Sequence, residues 1–424
     1  MRFRTALLGA AALALPATAW AGAGAPALAG VPLEFFAFAV VLGMVAFSHV
    51  STLRTALAGA AAISLYKLLY SPFAEGAGAA GLLAHLGQEW VGLGNLLGLL
   101  LGFALLAGHF EQSRIPALLP KYLPDDWKGP LALLILVFLI SSFLDNIAAA
   151  MIGGAIAHTV FRGKVHIGYL AAIVAASNAG GAGSVVGDTT TTMLWLAGVA
   201  PGEVLRAYVA AGTALLVCAV PAARQQHAHC PILKEAPAGI RVDWARVAIV
   251  VAVLGLAIGA NVLLNLRFKA WGALFPVLGA VVLGALLLTA PLRRPDWRAL
   301  PGALRGAVFL LALVWTASLM PVEALPPASW GGALAIGFVS AIFDNIPLTA
   351  LALKQGGFDW GFLAYAVGFG GSMLWFGSSA GVALTGMYPQ ARSVSLWLRH
   401  GWHVALAYVV GFFVMLALLG WQPH

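Results

Sequence analysis

Charged residues are scarce in this chain. Asp, Glu, Lys and Arg make up 9% of its 424 residues, against roughly a quarter in soluble domains. That shortage excludes an ordinary water-solvated globule. Apolar residues reach 61%, more than a single core can hide, so lipid is the expected solvent. Cysteine is nearly absent: Cys218 and Cys230 are the only two. This excludes a disulfide framework, and the pair lacks metal-ligand spacing. A basic stripe is missing as well. The net charge of +8 is scattered over short loops with no binding motif, so nucleic acid is not an expected partner. No sizeable polar domain exists, and the longest polar stretch, 224–246, reads as a linker.

What is abundant is apolar runs. They cover 31–47, 55–70, 91–110, 130–160, 168–199, 204–221, 247–265, 271–288, 306–321, 330–353, 361–387 and 403–420. Only helices and closed barrels satisfy their backbone in lipid, and these runs are too long for barrel strands. The expected fold is therefore an all-α polytopic membrane protein. At the N-terminus, Arg2 and Arg4 precede a short apolar run and Ala-x-Ala sites between Ala17 and Ala21. That pattern predicts a signal peptide over 1–21, with an uncleaved anchor as the alternative.

Four runs are irregular. Segment 130–160 would measure about 46 Å as a straight helix, whereas the hydrocarbon layer is about 30 Å thick. It carries Asp145-Asn146 at its middle, and 330–353 carries Asp344-Asn345. Segments 168–199 and 361–387 are interrupted by Gly and hydroxyl residues. If both Asp-Asn segments are re-entrant hairpins, sixteen Lys and Arg fall on the inner side and five on the outer. If both segments cross fully, the bias vanishes. The positive-inside rule therefore favours two hairpins, about ten full spans and both termini periplasmic, in an inner membrane of bacterial type. The expected organisation after the signal peptide is N-terminal scaffold spans over 22–129 and a first repeat core over 130–222. A cytoplasmic linker follows over 223–246, then second scaffold spans over 247–327 and a second repeat core over 328–424.

The two halves echo each other. Ser141 to Ile147 matches Ser340 to Ile346, and Gly180-Gly181 with Gly187-Asp188 matches Gly370-Gly371 with Gly377-Ser378. One hairpin opens from the inside and the other from the outside, so the repeats are inverted, each with a hairpin and a broken helix. Secondary transporters are built this way. Asp145, Asp188 and Asp344 lie in these four segments, which contain no Lys or Arg. An ionisable residue in the membrane is costly and points to function. The competing reading is a structural cap on a half-helix. A bare carboxylate in low dielectric must be neutralised, by a proton or by a small cation but hardly by both at once, which is a simple basis for exchange. Asn146, Asn345, Asn178, Ser184, Thr189, Thr190, Ser378 and Ser379 offer the neutral oxygens that hard cations favour. Gly180, Gly181, Gly187, Gly370, Gly371 and Gly377 allow the backbone to unwind, or simply allow close helix packing. Packing is the expected role of Gly92, Gly94 and Gly98. His109, Glu111 and His158 read as interfacial, as do Trp90, Trp271, Trp330 and Trp402. A metal site at His227, His229 and Cys230 is a minor alternative.

The run from Asn178 to Thr191, the Asp344-Asn345-Ile346-Pro347 motif, and Gly370-Gly371-Ser372 through Gly377-Ser378-Ser379-Ala380-Gly381-Val382 resemble the signatures of NhaD-type sodium/proton antiporters. That family belongs to the ion transporter superfamily, with the citrate-type and arsenite carriers. The resemblance runs from about Val91 to Trp421. It implies exchange of sodium or lithium for protons at one shared site, no cofactor, a homodimer in the lipid bilayer, and movement of the hairpin core against a scaffold. One departure stands out: where the family shows hydroxyl residues after the first Asp-Asn, this chain has Ala148 and Ala149. The alternative is a cation- or proton-coupled carrier of citrate-type organic anions or arsenite. An enzyme, an intramembrane aspartyl protease, is disfavoured because Val185 breaks the required Gly-x-Gly-Asp pattern.

Overall fold

A computed structural model describes residues 26–28, 31–47, 52–232, 239 and 241–424. The expected signal peptide lies outside the described residues. The principal helices are α1 (Leu33–Phe47), α2 (Thr52–Tyr70), α3 (Gly78–Gln112), α4 (Lys128–Ser141), α5 (Asn146–Val160), α6 (Ile167–Ala182), α7 (Thr189–Leu196) and α8 (Ala207–His229). They continue with α9 (Trp244–Arg267), α10 (Val277–Thr289), α11 (Leu300–Ser318), α12 (Trp330–Ser340), α13 (Asn345–Gln355), α14 (Trp360–Gly370), α15 (Ser379–Met387) and α16 (Val394–Leu419). The only strands among the described residues form a two-residue antiparallel pair, Ala27–Leu28 with Val31–Pro32.

Polarity is distributed as lipid demands. Asn178 is fully buried, while Leu288 is 81% exposed and Val251 65% exposed. Trp90, Trp271, Trp330 and Trp402 are exposed, as an interfacial belt requires. Five stretches are long and apolar enough to cross a membrane on their own: Gly78–Gln112, Pro201–His229, Trp244–Leu264, Trp297–Ser318 and Val394–Leu419. The chain is a multi-pass, all-α membrane protein.

Each of the four irregular runs is two helices. Segment 130–160 breaks between α4 and α5, and 330–353 between α12 and α13. The cause is local: Asp145 accepts a hydrogen bond from Ile147 N (3.2 Å) and Asp344 from Ile346 N (3.4 Å), so each caps a new helix. Segment 168–199 breaks between α6 and α7, and 361–387 between α14 and α15.

Packing forms two apolar bodies. α6 and α14 lie at the centre of the first, buried along nearly their whole length. α4, α8 and α16 pack on α6, while α8, α12 and α16 pack on α14. The second body joins α1, α2 and α11, with α3 along its flank. α3 packs on α10 where a Cβ on Gly98 would lie 2.5 Å from Gly279 Cα. Gly98 thus has the packing role expected of it, whereas Gly92 faces open space.

Four boundaries differ from expectation. The run 91–110 is the second half of the 35-residue α3. The run ending at 221 continues through Pro221 to His229, because Gln226 is buried and ties this turn to neighbouring backbone. Its side chain accepts from His166 N (2.8 Å) and donates to Lys164 O (3.1 Å). Tertiary bonds thereby offset the hydrogen bond that proline removes. Finally, α13 reaches Gln355 and so includes Lys354, and α4 begins at Lys128. The broken segments therefore do carry lysines at their ends.

Candidate functional site

Four helices, α5, α7, α13 and α15, begin where the four breaks end, and their first residues converge. Asp188 is at the centre, buried, with its Oδ1 accepting from Asn146 Nδ2 (3.2 Å) and its Oδ2 from Asn345 Nδ2 (3.3 Å). Thr190 Oγ1 also donates to Oδ2, at 2.7 Å. The two Asn residues come from the two Asp-Asn motifs, so one carboxylate joins both halves of the chain. Asn178 is the second junction. Its Oδ1 accepts from Asn146 Nδ2 (3.0 Å), and its Nδ2 donates to Ser372 Oγ (2.9 Å) and Ser378 Oγ (3.1 Å).

The three carboxylates have different duties. Asp145 and Asp344 cap α5 and α13, and Ser379 Oγ donates to Asp344 Oδ2 (3.3 Å). Asp188 precedes α7 but makes no side-chain cap bond. Ser378, its counterpart, does cap, accepting from Gly381 N (3.3 Å). The structural role considered for an Asp in these segments thus applies to Asp145 and Asp344, while the Asp188 carboxylate accepts from two side-chain amides and a hydroxyl. Its charge lies within electrostatic reach of both other carboxylates. No Lys or Arg is paired with any of the three among the described residues. The positive ends of the helix dipoles stand in for such a cation.

Matched residues take matched shapes. Asp145 has φ −51°, ψ 140° and Asp344 has φ −52°, ψ 140°. Asp188 has φ −147°, ψ 149° and Ser378 has φ −142°, ψ 153°. Ser141 Oγ donates to Ser177 O (2.5 Å), and Ser340 Oγ to Val367 O (2.7 Å). The glycines match as well. A Cβ on Gly180 would strike Phe138 O, and one on Gly370 would strike Gly337 O. A Cβ on Gly181 or Gly371 would lie 2.7 Å from the carbonyl of Gly187 or Gly377 respectively. Gly180 and Gly181 sit in the last turn of α6, and Gly370 ends α14; the unwound stretches follow them. Gly187 and Gly377 lie inside those stretches, pressed on the Ser141 and Ala341 carbonyls. Close backbone approach accounts for all six.

Two expected ligands fall differently. Thr189 lines a cavity beside Asp145 and Asp188. Ser184 stays in its own turn, its Oγ accepting from Val186 N (3.4 Å) and its carbonyl from Thr191 Oγ1 (2.6 Å), and it makes no bond to the Asp188 carboxylate. Ser372 joins the network instead. It is part of the Gly370-Gly371-Ser372 motif, yet composition alone gives no reason to choose it. Lys354 turns away from the carboxylates: its Nζ donates to Ser318 O and Met320 O, both at 2.6 Å, at the end of α11. His109 is buried rather than interfacial, with Nδ1 2.9 Å from an Arg246 nitrogen. The His229 ring lies tilted against that of His166, with centroids 5.4 Å apart. No group of three His, Cys, Asp or Glu among the described residues is placed to hold a metal ion.

No protein-family model matches the chain. Sodium/proton antiporter 1 of Arabidopsis thaliana is 31% identical over 283 residues, which is 59% of this chain and 49% of that protein. Na(+)/H(+) antiporter NhaD of Halomonas elongata is 28% identical over 344 residues, 67% of this chain and 66% of that protein. The chain is thus similar to sodium/proton antiporters, one of them named NhaD. Sodium/proton antiporter 2 of Arabidopsis thaliana is also similar, 28% identical over 283 residues, covering 59% of this chain and 67% of that protein. The matches therefore span from about half to two thirds of the relatives' lengths.

Proposed function

We propose that the protein is a secondary transporter, not an enzyme, that exchanges sodium or lithium ions for protons across a bacterial-type inner membrane. The observation that carries this reading is the Asp188 carboxylate, buried among Asn146, Asn345 and Thr190 with no basic partner among the described residues. Such a group is neutralised either by a proton or by a small hard cation. Asp145, Asp344, Asn178, Thr189, Ser378 and Ser379 complete the site, and Ser184 contributes through its carbonyl turn rather than as a ligand. An anion carrier fits less well, because three carboxylates repel its substrate.

The matched backbone angles and contacts support two inverted repeats. The short helix pairs α4–α5 and α12–α13 support re-entrant hairpins, with about ten full spans and both termini periplasmic. Alternating access then moves 130–222 and 328–424 as a core against scaffold spans at 22–129 and 247–327, in a homodimer. Ala148 and Ala149 leave the first hairpin tip without hydroxyl ligands, so the cation relies on Asp188 and the amides.

Proteoliposomes holding a pH-sensitive dye and an imposed proton gradient test this. Sodium or lithium salts, but not potassium, collapse the gradient at neutral to alkaline pH, and Asp188→Asn abolishes the response. A wild-type protein indifferent to all three cations would sink the reading.

A further inference from the structure

Two cavities reach the carboxylates, one on each side of α11. The first, about 440 Å³, lies between α3, α5, α7 and α11 and exposes Asp145, Asp188 and Thr189. The second, about 390 Å³, exposes Asp344, Ser378 and Ser379. Each contains one further charged residue, of opposite sign: Glu111 in the first and Arg392 in the second.

Glu111 belongs to the last turn of α3, at the end of the molecule that also carries Arg114 and Arg246. It is exposed, and no ion pair or hydrogen bond holds its carboxylate among the described residues. Arg246, at this end of the molecule, is engaged elsewhere: it contacts His109, Asp243 and the Arg294 carbonyl. The rest of the first cavity wall is largely apolar, with Leu99, Phe103 and Leu310 among its residues. A lone negative charge at the mouth of a low-dielectric cleft focuses its field along that cleft and raises the local cation concentration. Arg392 does the reverse in the second cavity.

We propose that Glu111 is the cation-gathering carboxylate of the inner entrance, and that cations reach Asp145 and Asp188 through the cavity it guards rather than past Arg392. This rests on the transport reading above and adds to it a route and a residue outside the site.

The test is the sodium dependence of proton flux in proteoliposomes, measured at several ionic strengths set with choline chloride. Glu111→Gln raises the apparent KM for sodium about three- to tenfold with kcat within about twofold of wild type, and the difference shrinks as ionic strength rises. Glu111→Asp restores a near-native KM, and Glu111→Lys raises it further. Arg392→Gln leaves the KM within about twofold of wild type, because its cavity is not the route. An unchanged KM in Glu111→Gln overturns the proposal. So does a rise that Glu111→Asp shares and ionic strength does not alter, since that marks a structural role. A KM that falls severalfold in Arg392→Gln while Glu111→Gln leaves it unchanged assigns entry to the other cavity. Absence of sodium-driven flux in the wild type would refute the transport reading itself, whereas an active wild type with an unaffected Glu111→Gln refutes only the entrance.

Discussion

Replacing Asn178 by Ala removes three side-chain bonds at once. They link α6 to Asn146 in the first half and to Ser372 and Ser378 in the second, at 3.0, 2.9 and 3.1 Å. Within a membrane-embedded helical bundle such a bond averages about 0.6 kcal/mol, and in proteins generally about 0.5–1.5 kcal/mol. Three bonds lost together therefore cost about 2–4 kcal/mol. Asn178 and Ser372 are fully buried, so the bond between them has no replacement in water, whereas Ser378 lines a cavity. Asn146 loses less, since its amide still reaches Asp188. Asn178→Asp separates geometry from charge: it keeps the acceptor for Asn146 but places a fourth carboxylate beside three others. The assay is an unfolding titration in mixed micelles, paired with sodium-driven proton flux. Asn178→Ala lowers stability by the stated amount. The double variant with Ser378→Ala loses less than the sum of the singles, because both remove the same bond. A loss below about 0.5 kcal/mol, or strict additivity with Ser378→Ala, would refute the claim that Asn178 ties the two halves together.

Two further outcomes follow from the same structure. Lys354→Met removes two charge-assisted bonds from α13 to the end of α11; the residue is half-buried, so the expected loss is about 2–4 kcal/mol in the same titration, and an unchanged midpoint would show that the lysine only solvates that helix end. At the opposite end, the Arg293 hydrogen bond at 2.6 Å holds the Asp243 carboxyl below the usual carboxylate range. A carboxylate with a lowered pKa stabilises the fold above the ordinary carboxylate range and stops doing so as the pH falls through its lowered value. Asp243→Asn should therefore melt earlier than wild type at pH 7, with the two curves converging in strong acid; an equal gap at both pH values would count against the pair.

Much of this was legible in the sequence because it is local. Asp145 and Asp344 break their segments through an Asx cap to a backbone N–H two residues on, and such a cap depends only on neighbouring residues. The class of fold is legible for a similar reason: a chain this apolar and this poor in charge has no aqueous solution to its packing problem. Even the pairing of Gly180 with Gly370 can be read as a repeat, although not the carbonyls that press on them.

The sequence by itself therefore determined the solvent, the helical class, the positions of the breaks and the short list of polar residues near them. Only the tertiary structure decided how those residues divide the work. It put Asp188 between two asparagines 42 and 157 positions away, left Ser184 in its own turn, brought in Ser372, sent Lys354 to a helix end and set Glu111 in the wall of the cavity below Asp145. The physical reason is reach. Caps and helix breaks are encoded within a few residues, where backbone geometry fixes the outcome. The facing of a side chain across a helix pair depends on the crossing of distant segments, and that is set by close contacts such as Gly98 on Gly279, which no window of sequence contains.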